Sequence, residues 1–112
     1  KLHTDFNWHK NLKLYRRINL LIFLNQNWES DWGGDLLLVK KNEKGLEVKQ
    51  AIPPEINTSV IFNTDHKSIH GHPFPMKLPE NISRDSIAIY YYSSNKPEDF
   101  VLAKNTFWHY IK

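Results

Sequence analysis

Cysteine is absent from the 112 residues. Disulfides and thiolate metal sites are thereby excluded, and any metal bound here must rest on histidine and carboxylate. Long apolar runs are absent too. No stretch approaches the roughly 20 apolar residues of a membrane-spanning helix, and the polar opening Lys1 to Lys13 is no secretory signal. A cytoplasmic location is the expectation. Charge of one sign is nowhere concentrated: the formal net charge is +3, but the basic residues fall in short groups, Lys13 to Arg17 and Lys40 to Lys41. No nucleic-acid partner is expected from such a surface. An initiator methionine is lacking as well, and the first chemically suggestive triplet stands at residues 3 to 5 with no scaffold before it. A truncated reading frame or an excised domain is expected on that ground.

What is present is enough for a packed core. Hydrophobic residues make up 40% of the chain and aromatics 13%, while the 24% of charged residues carry both signs, which excludes wholesale disorder. The length accommodates a single domain spanning residues 1–112.

Strand signals dominate. Arg16 to Leu24 is long and apolar and stops at the turn-prone Asn25-Gln26-Asn27. Trp28 to Gly34 reads as a loop closed by two glycines. Asp35 to Lys41 is a second strand, Asn42 to Gly45 a turn, and Leu46 to Ile52 a third strand that Pro53-Pro54 ends. Ser59 to Asn63 makes a fourth. A short extended piece follows around Ile69 to Pro75, then a proline-flanked loop from Met76 to Ser83. Ser86 to Ser93 is the last strong strand, rich in β-branched and aromatic residues. Phe100 to Ile111 fits either a short helix or a strand. Six short strands joined by Gly- and Pro-containing turns predict an all-β sandwich or barrel of jelly-roll type.

The candidate chemistry begins with His3-Thr4-Asp5. In an extended segment residues i and i+2 point to the same side, so His3 and Asp5 converge on one point. A third ligand from another strand would complete a set of two histidines and one carboxylate, which suits Fe(II) and leaves coordination positions open. A closed structural zinc site would want four protein ligands instead. Six histidines occur in the chain, so the triplet gains weight only from what accompanies it.

That company is extensive. His3-Thr4-Asp5-Phe6, then Arg17 to Asn25 with Trp28 and Gly33-Gly34-Asp35-Leu36, then His70-Gly71-His72-Pro73, then Arg84-Asp85-Ser86 occur in an order and spacing that resemble the Fe(II)/2-oxoglutarate dioxygenases of the prolyl 4-hydroxylase-like group. The likeness runs from residue 3 to about residue 93. It implies a double-stranded β-helix, here lacking its usual N-terminal strand and helices. It also implies Fe(II) held by His3, Asp5 and His70, with His66 and His72 left as surface turn residues. Arg84, fourteen positions beyond His70, stands where the family places the basic residue that grips the far carboxylate of 2-oxoglutarate, a task suited to a planar guanidinium. Ser86, on the same face, would donate a hydroxyl to that carboxylate. Asn19, Leu21 and Phe23 would look onto the cosubstrate. Phe23 replaces the tyrosine of many relatives, so one hydrogen bond is missing or comes from Asn19.

The activity so implied is hydroxylation of a C–H bond of an amino-acid, peptidyl or small-molecule substrate, using molecular oxygen and converting 2-oxoglutarate to succinate. The loops Trp28 to Gly34 and His72 to Ser83 would touch the substrate. Tyr90 to Tyr92, Trp28, Trp32 and Trp108 read as packing residues. The alternative is a non-catalytic double-stranded β-helix module that binds a metal or a partner. A cupin-like enzyme with another metal is disfavoured by Arg84-x-Ser86. Absence of the first strand would leave an edge unpaired, and self-association to cover it is expected.

Overall fold

Leu14 to Phe23 forms the longest strand because it supplies β-branched and aromatic side chains to both of its faces. Nine strands occur in the computed structural model, which describes residues 1–110. In chain order they are β1 (Leu2–Thr4), β2 (Trp8–His9), β3 (Leu14–Phe23), β4 (Leu36–Asn42), β5 (Gly45–Ile52), β6 (Ser59–Asn63), β7 (Ile69–Gly71), β8 (Ser86–Ser93) and β9 (Phe107–His109). Among the described residues the only helical piece is the 3-10 turn Ser30–Trp32, within the loop expected there. No helix among them is long and apolar enough to cross a membrane.

The strands make two antiparallel sheets. One has the order β5-β4-β7-β1-β9; in the other, β3 is flanked by β2 and β6 and also pairs β8. This is the jelly-roll, double-stranded β-helix architecture anticipated above. Strands β6 and β8 have the bounds read from the sequence, and β3, β4 and β5 differ from it by one or two residues. The extended piece expected to reach Pro75 ends at Gly71, next to His72 and Pro73, where proline offers no N–H to a ladder. Near the C-terminus the undecided segment holds a strand, Phe107–His109, and its last residue, Ile111, lies outside the described residues.

Register decides which side chains meet. On β3 and its neighbours, Asn19 faces Phe62 and Tyr90, Leu21 faces Val60 and Ala88, and Phe23 faces Ser86. Opposite them, His3 pairs with His70, which pairs with Leu38, while Leu36 pairs with Ile52. The space between the sheets is filled by Phe23, Leu36 and Val60, with Leu21, Leu38, Ile52 and Phe62 packed against them. Full burial of a side chain such as Phe23 contributes about 1.5–3 kcal/mol. The alternate residues Leu2, Leu37, Val39 and Ile69 build a second cluster on the reverse face of the larger sheet. The polar positions His3, Asp5, His70 and Asn19 therefore sit at one end of an apolar interior.

Candidate metal centre

β1 presents His3 on the inner face, with Asp5 two residues on, just past the strand end. β7 brings His70 directly across from His3. The consequence is a tight cluster: His3 Nε2 lies 3.3 Å from Asp5 Oδ1, His70 Nε2 lies 3.5 Å from Asp5 Oδ2, and candidate ligand atoms of all three residues fall within 4.8 Å of one another. His66 and His72 are both exposed and take no part in it.

The backbone orients both imidazoles. His70 Nδ1 is 2.9 Å from the Ser68 carbonyl and His3 Nδ1 is 3.3 Å from the Lys1 carbonyl, each two residues upstream. A carbonyl only accepts, so Nδ1 carries the proton in both rings and Nε2 keeps its lone pair when the ring is neutral. Burial, opposed by the Ser68 bond and the Asp5 charge, lowers the His70 pKa below its ordinary value and favours the neutral ring. Asp5 goes the other way. Burial alone would raise its pKa, but His3, His70, Asn19 and Arg16 overcome that and pull the carboxyl down to about 2. Both Nε2 atoms thus point at a carboxylate that is ionised at neutral pH. A divalent metal such as Fe(II) can take the place of a proton between them, and this donor set suits it.

The carboxylate is held from behind by a network that the spacing of residues did not reveal. Asn19 Nδ2 donates to Asp5 Oδ2 at 2.8 Å and Arg16 Nη2 donates to the same oxygen at 3.2 Å. Arg16 also donates twice to Asn19 Oδ1, through Nε at 3.2 Å and Nη2 at 3.0 Å, and the Thr64 hydroxyl donates to that oxygen at 3.0 Å. A register shift between Arg16 and Ile18 breaks the alternation of β3, which brings Arg16 to the inner face with Asn19. The guanidinium lies 3.8 Å from the Tyr90 ring centroid and 4.8 Å from that of Phe6. Asn19 is buried beneath Asp5 with its amide committed to Asp5, Arg16 and Thr64. Two aromatic rings complete the surroundings: Phe62 lies 4.5 Å from the His70 ring and Trp108 lies 5.1 Å from His3. Trp108 was expected only to pack. Its place beside the cluster follows from the pairing of β9 with β1, across more than a hundred residues.

At the other end of the interior stands Arg84. Its Nε donates to the Gly34 carbonyl at 2.8 Å and its guanidinium carbon lies 5.2 Å from the Phe23 ring centroid. Burial lowers the Arg84 pKa, with Asp35 acting against it. Among the described residues Arg84 has no carboxylate partner in ion-pair contact, so a half-buried cation is left with its terminal nitrogens to offer. Ser86 follows on the same face, opposite Phe23, and is exposed. Phe23, expected to face a cosubstrate, is buried in the core with its ring against Arg84. A recess of about 190 Å³ opens beside His70, lined by Leu38, Val39, Lys49, Phe62, Ser68 and Ile69. A larger hollow of about 590 Å³ between the β4–β5 turn, His109 and Tyr110 lies away from the cluster.

A family model described as the 2OG-Fe(II) oxygenase superfamily matches residues 1–92, a span that contains β1 through most of β8 and every residue of both polar sites except Trp108. The chain belongs to the 2OG-Fe(II) oxygenase superfamily. No curated protein and no solved structure gives a significant match. Membership carries a general oxygenase function, with Fe(II) as the metal and 2-oxoglutarate and oxygen as the cosubstrates. The donor set of this oxygenase, two imidazoles and one carboxylate, fits that metal.

Proposed function

We propose that this oxygenase is a hydroxylase of the prolyl 4-hydroxylase-like group, in which His3, Asp5 and His70 hold the iron and Arg84 with Ser86 holds the far carboxylate of 2-oxoglutarate. The observation that carries the reading is the convergence of two histidine Nε2 atoms and an ionised carboxylate, with a guanidinium that has no ion-pair partner among the described residues at the far end of the same apolar interior. When bound, iron and 2-oxoglutarate supply the oxidising chemistry: oxygen is consumed, 2-oxoglutarate becomes succinate and carbon dioxide, and a substrate C–H becomes C–OH.

The chain's own residues bind, orient and exclude water. His3 and His70 arrive with their rings fixed by backbone carbonyls, so little reorganisation is needed to receive a cation. Arg84 is aimed by Gly34 and shielded by Phe23, which strengthens its pairing with a carboxylate by lowering the local dielectric. Leu21, Phe23, Leu38 and Phe62 pack into the interior between the two polar ends and keep water out of it. Amino-acid or peptidyl C–H bonds are the substrate class we infer, on the resemblance of the whole series of blocks from His3 to Ser86 to prolyl 4-hydroxylase-like enzymes.

The test is anaerobic addition of Fe(II) and then 2-oxoglutarate, watching for the weak visible metal-to-ligand charge-transfer band. Wild-type protein is expected to give the band, His70→Ala to lose it, and Arg84→Ala to need roughly 10- to 100-fold more 2-oxoglutarate, the equivalent of losing a charge-assisted hydrogen bond of about 1.5–3 kcal/mol. Folded wild-type protein that gives no band would replace this reading with a non-catalytic module.

A further inference from the structure

The two oxygens of Asp5 are chemically different. Each faces one imidazole, Oδ1 the His3 Nε2 at 3.3 Å and Oδ2 the His70 Nε2 at 3.5 Å, but only Oδ2 also accepts from Asn19 at 2.8 Å and from Arg16 at 3.2 Å. Arg16 is no surface cation that happens to lie nearby. Its side chain is only 5% exposed, it lies against the rings of Tyr90 and Phe6, and its donors go to Asn19 and Asp5. Burying a guanidinium is costly unless it is paired, so the packing, the irregularity in β3 and the Thr64–Asn19 bond together serve to hold a positive charge at one particular oxygen. With its lone pairs engaged and its charge offset there, Oδ2 is a poor metal donor. Oδ1 keeps its lone pairs for a cation.

Resting on the iron and 2-oxoglutarate reading above, we infer that Arg16 is a positioning residue that restricts Asp5 to binding metal through Oδ1 alone, and so reserves a coordination position for the cosubstrate. A carboxylate with both oxygens free can chelate a divalent cation and occupy two positions. An octahedral Fe(II) held by two imidazoles and one carboxylate oxygen would keep three positions open, room for a chelating 2-oxo acid. A second Asp5 oxygen would compete with the 2-oxo acid. Arg16 therefore favours cosubstrate binding without favouring metal binding.

A positioning role shifts one of two affinities that a merely structural residue would move together. Wild type, Arg16→Met and Arg16→Lys would be titrated with Mn(II), reading the free ion by electron paramagnetic resonance. Each would then be loaded anaerobically with Fe(II) and titrated with 2-oxoglutarate on the charge-transfer band, with thermal unfolding as the check on folding. Arg16→Met is expected to bind Mn(II) at least as tightly as wild type and 2-oxoglutarate roughly tenfold or more weakly. Arg16→Lys keeps the charge without the planar fork, so it should retain the fold and recover part of the 2-oxoglutarate affinity. Loss of both affinities together in a folded variant, or unchanged 2-oxoglutarate binding in both variants, overturns the inference. Should Arg16→Met not fold, Arg16→Lys decides: unchanged Mn(II) affinity with weakened 2-oxoglutarate binding supports the role, and any other result removes it. Wild-type protein that binds no Mn(II) overturns the underlying metal reading itself.

Discussion

Gly34 has a φ of +84°, and its carbonyl accepts the Arg84 Nε–H at 2.8 Å. A Cβ at this position would lie 2.9 Å from Met76 Sδ, 3.2 Å from the Trp28 ring and 3.3 Å from Arg84 Cδ. Met76 yields easily. Trp28 does not, since it is buried and its Nε1 donates to the Gly33 carbonyl, so Arg84 must move. Gly34→Ala should cost about 1–2 kcal/mol from the positive φ alone, seen in thermal unfolding. It should also weaken 2-oxoglutarate binding roughly tenfold, equal to about 1.4 kcal/mol, while Mn(II) binding stays put. Unchanged 2-oxoglutarate affinity in a folded variant would separate Arg84 from the cosubstrate. The residues the sequence made visible are those whose relation is local or patterned: His3 and Asp5 by their i, i+2 spacing, and His70, Arg84 and Ser86 by their place in an ordered series of blocks. Arg16, Thr64 and Trp108 were not visible as site residues, nor was the hold of the Gly34 carbonyl on Arg84. Their roles depend on a break in strand alternation, on cross-strand register and on one backbone angle, and none of these leaves a mark in residue type.

Strands with strong local propensity were legible as elements, and those made by tertiary pairing were not. β3, β4, β5, β6 and β8 carry apolar β-branched or aromatic runs bounded by Asn, Gly or Pro, whereas β1, β2 and β9 have two or three residues each and exist because a partner strand lies alongside. Asn25 shows how the elements are tied. It follows β3, is buried, and forms an isolated parallel bridge with Glu55. Its Nδ2 donates to the carbonyls of Pro54 and Asp85, and its Oδ1 accepts the Asp85 N–H at 2.7 Å. One side chain therefore joins the end of β3 to the approach to β6 and to the residue between Arg84 and Ser86. Asn25→Ala leaves the buried Pro54 carbonyl and the part-buried Asp85 N–H without that partner and should destabilise the fold by about 1–3 kcal/mol, the cost of an unsatisfied buried group. Denaturant unfolding measures this directly. A loss under about 1 kcal/mol would mean that water replaces the asparagine.

At the scale of the whole molecule the described chain is flat. Its extents are 43 × 33 × 19 Å and its radius of gyration is 15.2 Å, against about 13 Å for a compact domain of 100 residues. The smallest extent is that of two sheets packed about 10 Å apart, so among the described residues no further layer covers the outer face of the smaller sheet. That face is apolar. Ile18, Leu20 and Ile22 on β3 are in register with Tyr91, Ile89 and Ile87 on β8, and Leu20 also pairs with Ile61 on β6. Ile61 is 68% exposed, Ile87 46% and Tyr91 51%. A contiguous apolar surface of this kind favours association, and β8 adds a strand that pairs only β3 and so offers an open edge. Self-association through this face is the expected behaviour of the chain in solution. In sedimentation velocity the wild-type protein should associate as its concentration rises, and the double substitution I61K/I89K should shift it towards monomer. Both substituted side chains point away from the interior, so Mn(II) affinity should be the same in the two proteins. A wild-type protein that stays monomeric at the highest concentration would show that strand twist and the partial cover of the β3 side chains suffice to keep this face in water.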